Sequence, residues 1–203
     1  MKKQRKRSKA NLKRLLLGLL SISVVLVLWQ GVRLLPQQQT IATPTNEANQ
    51  KADFIATLKP IAQKNYQLSG LLPSVSLSQA ILESDWGQSE LAVEAKNLFG
   101  IKGKYHNQSL SYPTQEFQND EWVTITAAFR KYDTWEQSMN DQVALFQTGT
   151  SWNATLYHPV LAAQTYQEGT KALQTAGYAT DPDYARKLNE VIERYELNQY
   201  DQL

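Results

Sequence analysis

Glu83 stands four residues after Gln79 and three before Trp86, a spacing that sets all three on one face of a helix. A carboxylate in the last turn of a helix faces the negative end of its dipole, and an indole beside it excludes water. Both effects disfavour the charged form and raise the pKa. A general acid working near neutral pH needs that shift. Moving a Glu from about 4.3 to about 6 takes roughly 2.3 kcal/mol, within reach of burial. Asp85, two positions on, does not face Glu83 on a helix, but its charge is expected to push the acid further up.

Few other side chains offer chemistry. The absence of cysteine excludes disulfides, thiolate metal sites and Cys nucleophiles. The two histidines, His106 and His158, have no metal-ligand partner at workable spacing. No Gly-rich phosphate loop, His-x-x-x-His helix or Gly-x-Ser-x-Gly elbow occurs, so neither metal nor cofactor is expected.

The helix carrying Glu83 is predicted from Leu77, Ala80, Ile81 and Ser84, a stripe for burial at i, i+3, i+4 and i+7, with Ser76 placed to cap its start and Gly87 to stop it. Upstream, from about Ala48, Phe54, Leu58, Ile61, Ala62 and Tyr66 line one face of a helix that Pro60 should kink or split. Downstream, Ser89 caps a short helix to Lys96, and Asn97, Phe99, Gly100 and Gly103 form a loop. Gln108 to Tyr132 reads as two antiparallel strands around Gln118-Asn119-Asp120-Glu121. Thr134 with Gln137 is a capping box opening a helix to about Thr148. A helix is expected after Asn153 through Leu161 and Tyr166, and Thr165 with Glu168 caps another that ends near Ala176-Gly177. Asp181 as N-cap and Pro182 at the first position should open the last helix, packed by Leu188, Val191, Ile192 and Tyr195.

A chain of 203 residues suffices for one domain of about 150 residues and an accessory segment. Its net charge of +2 conceals two unlike halves: eight Lys and Arg lie in the first 14 residues, whereas beyond Pro36 12 Lys and Arg face 19 Asp and Glu. An acidic folded part lacks the clustered cations a nucleic-acid footprint needs. Directly after the basic block, Leu15 to Val32 is an uncharged run of 18 residues, just long enough to span a bilayer. The cation bias predicts a basic cytoplasmic tail (1–14), an uncleaved anchor (15–35) and an exported domain (51–203). A cleaved signal peptide is the rival, though Gln30 to Leu35 offers no good Ala-x-Ala site. Residues 36–50, rich in Gln, Thr, Asn and Pro, read as a linker.

The run Gln79-Ala80-Ile81-Leu82-Glu83-Ser84 with Trp86-Gly87, Ser89, Leu91-Ala92, Ala95 and Asn97-Leu98-Phe99-Gly100-Ile101-Lys102 resembles the N-acetylglucosaminidase domain of bacterial peptidoglycan hydrolases, glycoside hydrolase family 73. Two further blocks match in order: Thr114-Gln115-Glu116-Phe117 with Trp122-Val123 and Phe129 to Tyr132, then Gly177-Tyr178-Ala179-Thr180-Asp181-Pro182-Asp183-Tyr184-Ala185. The resemblance spans roughly Ala52 to Tyr195 and implies a lysozyme-like α+β fold, mostly helical, with a small antiparallel β-hairpin as one wall of a groove. It implies cleavage of the β-1,4 bond after N-acetylglucosamine in peptidoglycan. Glu83 maps onto the catalytic acid, Glu116 onto a carboxylate across the cleft, and Tyr178 onto a phenol near it. Glu121 is the closest competitor of Glu116. Trp86, Phe99, Tyr105, Tyr132 and Tyr178 are candidate sugar-stacking residues, with Asn97 and Tyr184 added as substrate contacts. A muramidase or lytic transglycosylase on the same fold, and a non-catalytic glycan-binding protein, are the alternatives. No protein partner is named by the residues.

Overall fold

The computed structural model of the chain describes residues 44–118 and 121–202, except for the side chains of 44–45, 115–118 and 121–122. The tail and anchor expected over 1–35 lie outside the described residues. Among the described residues no helix is long and apolar enough to cross a membrane.

The elements run α1 (Pro44–Ser69), α2 (Pro73–Ser84), α3 (Glu90–Glu94), strands β1 (Ser109–Gln118) and β2 (Glu121–Arg130), α4 (Trp135–Thr148), α5 (His158–Leu161), α6 (Tyr166–Thr175), α7 (Tyr184–Arg194) and a closing 3-10 turn (Leu197–Tyr200). Helix α2 is the hub, packing on α1, α6, α7 and the closing turn. On one side Leu77, Ala80 and Ile81 meet Phe54, Leu58 and Ala62 of α1, Met139 of α4 and Ile192 of α7. On the other, Val75 joins Phe146, Leu173, Tyr178, Tyr184 and Leu188. A helix buried on both sides should be apolar all round. Instead α2 buries Ser74, Ser76, Ser78, Gln79 and Ser84, and each of them has a hydrogen-bond partner.

The start of α2 shows why Ser76 is not its cap. Pro73 occupies the first helical position, where its fixed φ and missing N–H are no handicap, and the N-cap Leu72 has no side chain able to accept. The acceptor arrives from the far end of the chain: Asp201 takes hydrogen bonds from the Ser74 backbone N at 2.8 Å and from Ser74 Oγ at 2.7 Å. Loss of this long-range cap should cost roughly 1–2 kcal/mol. Asp201→Ala is therefore expected to lower the melting temperature by about 3–8 °C, while Asp201→Asn retains part of the stability. An unchanged unfolding curve for the alanine variant would contradict this role.

Three other boundaries depart from expectation. Pro60 neither splits nor ends α1, a single helix of 26 residues that takes in 44–50, read above as linker. Where one helix was expected through Leu161, residues 151–157 turn first and only His158–Leu161 is helical. Helix α7 opens at Tyr184 with Asp183 as N-cap; Asp181 sits one turn earlier, accepting from Asp183 N at 2.8 Å and pairing with Lys187. The caps at Ser89, Thr134 and Thr165 are as read, each hydroxyl accepting from the amide three residues on.

The hairpin is antiparallel, with Gln118 opposite Glu121 and Ser109 opposite Arg130. It is tied to the helices through Asn97, whose Nδ2 donates to Ile101 O and Arg130 O, both at 2.9 Å, while Oδ1 accepts from the Phe99 and Ile101 amides. At the end of β2, Arg130 Nη1 and Tyr132 Oη both donate to Asp141 Oδ2 of α4, at 2.6 and 2.7 Å. The result is the α+β arrangement expected, helices with a two-stranded sheet on one side.

Candidate active site

Glu83 lies in the last turn of α2, with Leu82 before it and buried Ser84 after it. Its pKa rises from the usual 4.5 to about 7. The principal cause is burial of the carboxyl, and a hydrogen bond from Tyr184 acts in the opposite direction. That bond, Tyr184 Oη donating to Glu83 Oε1, is 2.6 Å long. Gln79, one turn before Glu83, donates from Nε2 to the same Tyr184 oxygen at 3.0 Å. Burial and the negative charge of Glu83 hold the Tyr184 phenol far above its ordinary pKa, so it acts as a neutral donor. A carboxyl that is half protonated near pH 7 and gripped through one oxygen is equipped to donate a proton.

Water is not excluded from Glu83 in the way the residue spacing suggested. The helix ends at Ser84; Asp85, Trp86 and Gly87 then take three successive positive φ values, +49°, +59° and +75°. Trp86 is thereby turned out of the helix, and its ring lies edge-on to Phe54 and Tyr195 with Lys51 Nζ 5.4 Å from its centre. The face it was to share with Gln79 and Glu83 does not form. Asp85 is exposed and plays no part in the rise. Gly87 makes the turn possible, since a Cβ there would stand 2.8 Å from the rings of Phe54 and Trp135.

The other residues singled out above separate into several groups. Tyr184, expected to touch substrate, is buried and spends its hydroxyl on the acid. Tyr178 is also buried; its ring stacks on that of Tyr184 at 5.9 Å, and its hydroxyl is 3.4 Å from Phe99 O. Asn97 has every donor and acceptor engaged within the protein, which makes it a brace for the loop and β2 with nothing left for a sugar. Phe99 is a core residue. Tyr132 is buried with its hydroxyl on Asp141, whose charge adds to burial in raising its pKa well above the ordinary range. Tyr105 is half-buried against the Tyr132 ring at 4.8 Å, on the outer side of that pair. Glu116 lies on β1 opposite Val123; its side chain is outside the described residues.

One participant was misplaced and one missed. Tyr184, read as a substrate contact, instead meets Glu83 across 101 residues, and no local pattern announces such a contact. Asp141, which holds both Arg130 and Tyr132, sits inside a helix as an ordinary acidic residue. The available clue was Gln79, a polar side chain on a helix otherwise committed to burial.

A model of the glucosaminidase family, mannosyl-glycoprotein endo-beta-N-acetylglucosaminidase, matches residues 59–197. The exo-glucosaminidase LytG of Bacillus subtilis is 44% identical over 198 residues, covering 97% of this chain and 70% of that protein. A probable N-acetylmuramidase of Lactococcus lactis subsp. cremoris is 41% identical over 171 residues; the match takes in 81% of this chain but 38% of the relative. Among solved structures, the catalytic domain of the autolysin Auto from Listeria monocytogenes superposes with a TM-score of 0.70 at 37% identity, covering 85% of this chain and 100% of that domain.

Proposed function

The chain belongs to the mannosyl-glycoprotein endo-beta-N-acetylglucosaminidase family of glycoside hydrolases, and from that premise we infer that it cleaves the β-1,4 bond after N-acetylglucosamine in peptidoglycan strands, with Glu83 as general acid. The observation that carries this reading is the Glu83 carboxyl itself, raised to about 7 by burial and held at 2.6 Å by a buried phenol. Glycoside hydrolysis needs a proton on the leaving oxygen as the C–O bond breaks, and stabilisation of an oxocarbenium-like centre. Glu83 supplies the proton. As it does so it becomes a carboxylate, and the Tyr184 hydrogen bond strengthens because its acceptor is now charged. That bond is stronger in the transition state than before it, so it favours the chemical step.

For the oxocarbenium-like centre we assign Glu116 of β1, supported by its matching block of sequence; Tyr178, buried against Tyr184 with its hydroxyl toward Phe99 O, backs the phenol that holds the acid instead of meeting substrate. Residues 15–35 are proposed as a membrane anchor with the enzyme domain outside, supported by the basic block on their amino side.

The test is product analysis. Purified peptidoglycan is digested with the full chain, reduced and examined by mass spectrometry. New N-acetylglucosamine reducing ends are expected. Muramic acid ends would move the assignment to the bond named in the lactococcal relative, anhydro products would indicate a lytic transglycosylase, and binding without new ends would remove the enzyme.

A further inference from the structure

Glu83 terminates a run of hydrogen bonds through four buried side chains on three helices. Ser76 Oγ of α2 donates to Gln142 Oε1 of α4 at 2.6 Å, and Gln142 Nε2 donates back to Gln79 Oε1 of α2 at 2.9 Å. Gln79 Nε2 donates to Tyr184 Oη of α7 at 3.0 Å, and Tyr184 Oη donates to Glu83 Oε1 at 2.6 Å. Ser76 and Tyr184 are 2% and 1% exposed, and both glutamines are fully buried. Two amides in a helical core are costly unless fully used, and apolar side chains of the same shape would fill that space with no desolvation penalty. Fold alone gives no reason for such a line to end on the one carboxyl placed for acid chemistry.

The charge at its end sets the direction of the line. A carboxylate has no proton to give, so with Glu83 ionised Tyr184 must donate to it. The Tyr184 oxygen must then accept, which turns the amide of Gln79 so that its NH2 faces the phenol. Gln79 Oε1 in turn requires the NH2 of Gln142, and Gln142 Oε1 requires the hydroxyl proton of Ser76. Every donor points the same way, so the dipoles reinforce one another in a dry interior. Run backwards, the line would make Glu83 donate its own proton to Tyr184, and the acid would have none left for the substrate.

We propose that Gln142, acting with Ser76 and Gln79, is a positioning residue: the three hold Tyr184 as a donor to Glu83 Oε1, so that the acid's proton resides on Oε2. The proposal rests on the reading of Glu83 as the acid. Among the described residues the titratable groups facing Glu83 are Tyr184 of α7 and Tyr178 before it. Burial raises the pKa of both phenols, so neither titrates in the working range.

The test compares full-length Gln142→Met, of similar shape but unable to hydrogen-bond, with Gln142→Glu. Buried and neutral, a glutamic acid accepts from Ser76 and donates to Gln79, preserving the direction of the line. With Met, Gln79 is free to turn over and take the Tyr184 proton, so Glu83 loses a donor that favours its charged form. For Gln142→Met, kcat on peptidoglycan is expected to fall roughly 10- to 100-fold with KM within about twofold, and the alkaline limb of kcat/KM to move up by about half a pH unit or more. Gln142→Glu should restore kcat to within about threefold of the wild type at pH 5. A merely structural role would reduce the folded fraction but leave that limb in place. Unchanged kcat and limb in Gln142→Met, or Gln142→Glu no better than Met, overturns the proposal. Should Gln142→Met fail to fold, Ser76→Ala removes only one hydroxyl, and the same upward limb shift is expected; an unmoved limb there is equally fatal. Full activity in a Glu83→Gln variant would instead sink the assignment of the acid, so the two failures are distinct.

Discussion

Glu83→Gln is expected to reduce the release of reducing ends from peptidoglycan by roughly 10³-fold or more, with KM and the folded structure nearly unchanged. Glutamine has the same shape, and its Oε1 accepts from Tyr184 Oη as the carboxyl does, so the hydrogen bond at 2.6 Å and the Gln79 contact behind it both survive. The change removes only the transferable proton. The loss should therefore fall on kcat, because the interaction deleted is one made as the leaving oxygen takes its proton. Reducing-end assays on the full chain, together with circular dichroism and urea unfolding of the variant, check it. Activity within about tenfold of the wild type would mean that another group protonates the leaving oxygen.

The parts of this molecule that could be read in advance are those set by local physics. Hydroxyl caps at Ser89, Thr134 and Thr165 act over three residues, and the alternation of strand formers around 118–121 acts over a few more; both were visible in the order of residues. The stripe of Leu77, Ala80, Ile81 and Ser84 is buried as its spacing required. Where the determining contact is distant, local reasoning went astray in an understandable direction. It sought a capping side chain near the start of α2 and chose Ser76, whereas the cap is Asp201, and Ser76 was left free to turn inward to Gln142. It took α2 to run as far as Gly87 and so aligned Trp86 with Glu83; the left-handed backbone at Asp85 and Trp86 breaks that alignment.

The candidate site divides in the same way. Glu83 was legible because the long run around it, from Gln79 to Lys102, resembles a catalytic helix; alone on its helix face beside Gln79 it would read as an ordinary solvated charge. The aromatic candidates were not, because sequence cannot distinguish a ring that faces a groove from one that closes a core. Phe99 and Tyr132 proved to be core and Tyr178 and Tyr184 buried, while Tyr105 keeps partial exposure. The raised acid was foreseen in direction, but its cause is burial of the carboxyl near Tyr184, contributed by a helix 101 residues away.

The same carboxyl should leave one signature in two separate measurements. Its acid form is the working form, so kcat/KM should be level below about pH 7 and fall tenfold per unit above it, about 100-fold by pH 9. Stability responds to the same proton. The folded pKa of Glu83, about 7, is raised above the usual 4.5, so the folded chain holds a proton that the unfolded chain releases. The stability this contributes is fully present below pH 4.5 and is lost as pH climbs to 7, at about 1.36 kcal/mol per unit, an upper bound of roughly 3 kcal/mol. Glu83→Gln has no such proton to lose. Its unfolding free energy relative to the wild type should therefore be flat at pH 4, rise between pH 4.5 and 7, and level off above, leaving the inactive variant the more stable protein at pH 8. Urea unfolding of both proteins from pH 4 to 9, set beside the activity profile, makes the comparison. Parallel stability curves combined with an alkaline limb at 7 would show that some other group governs the pH dependence. A stability difference that saturates at the pH where activity begins to fall ties both effects to the Glu83 carboxyl.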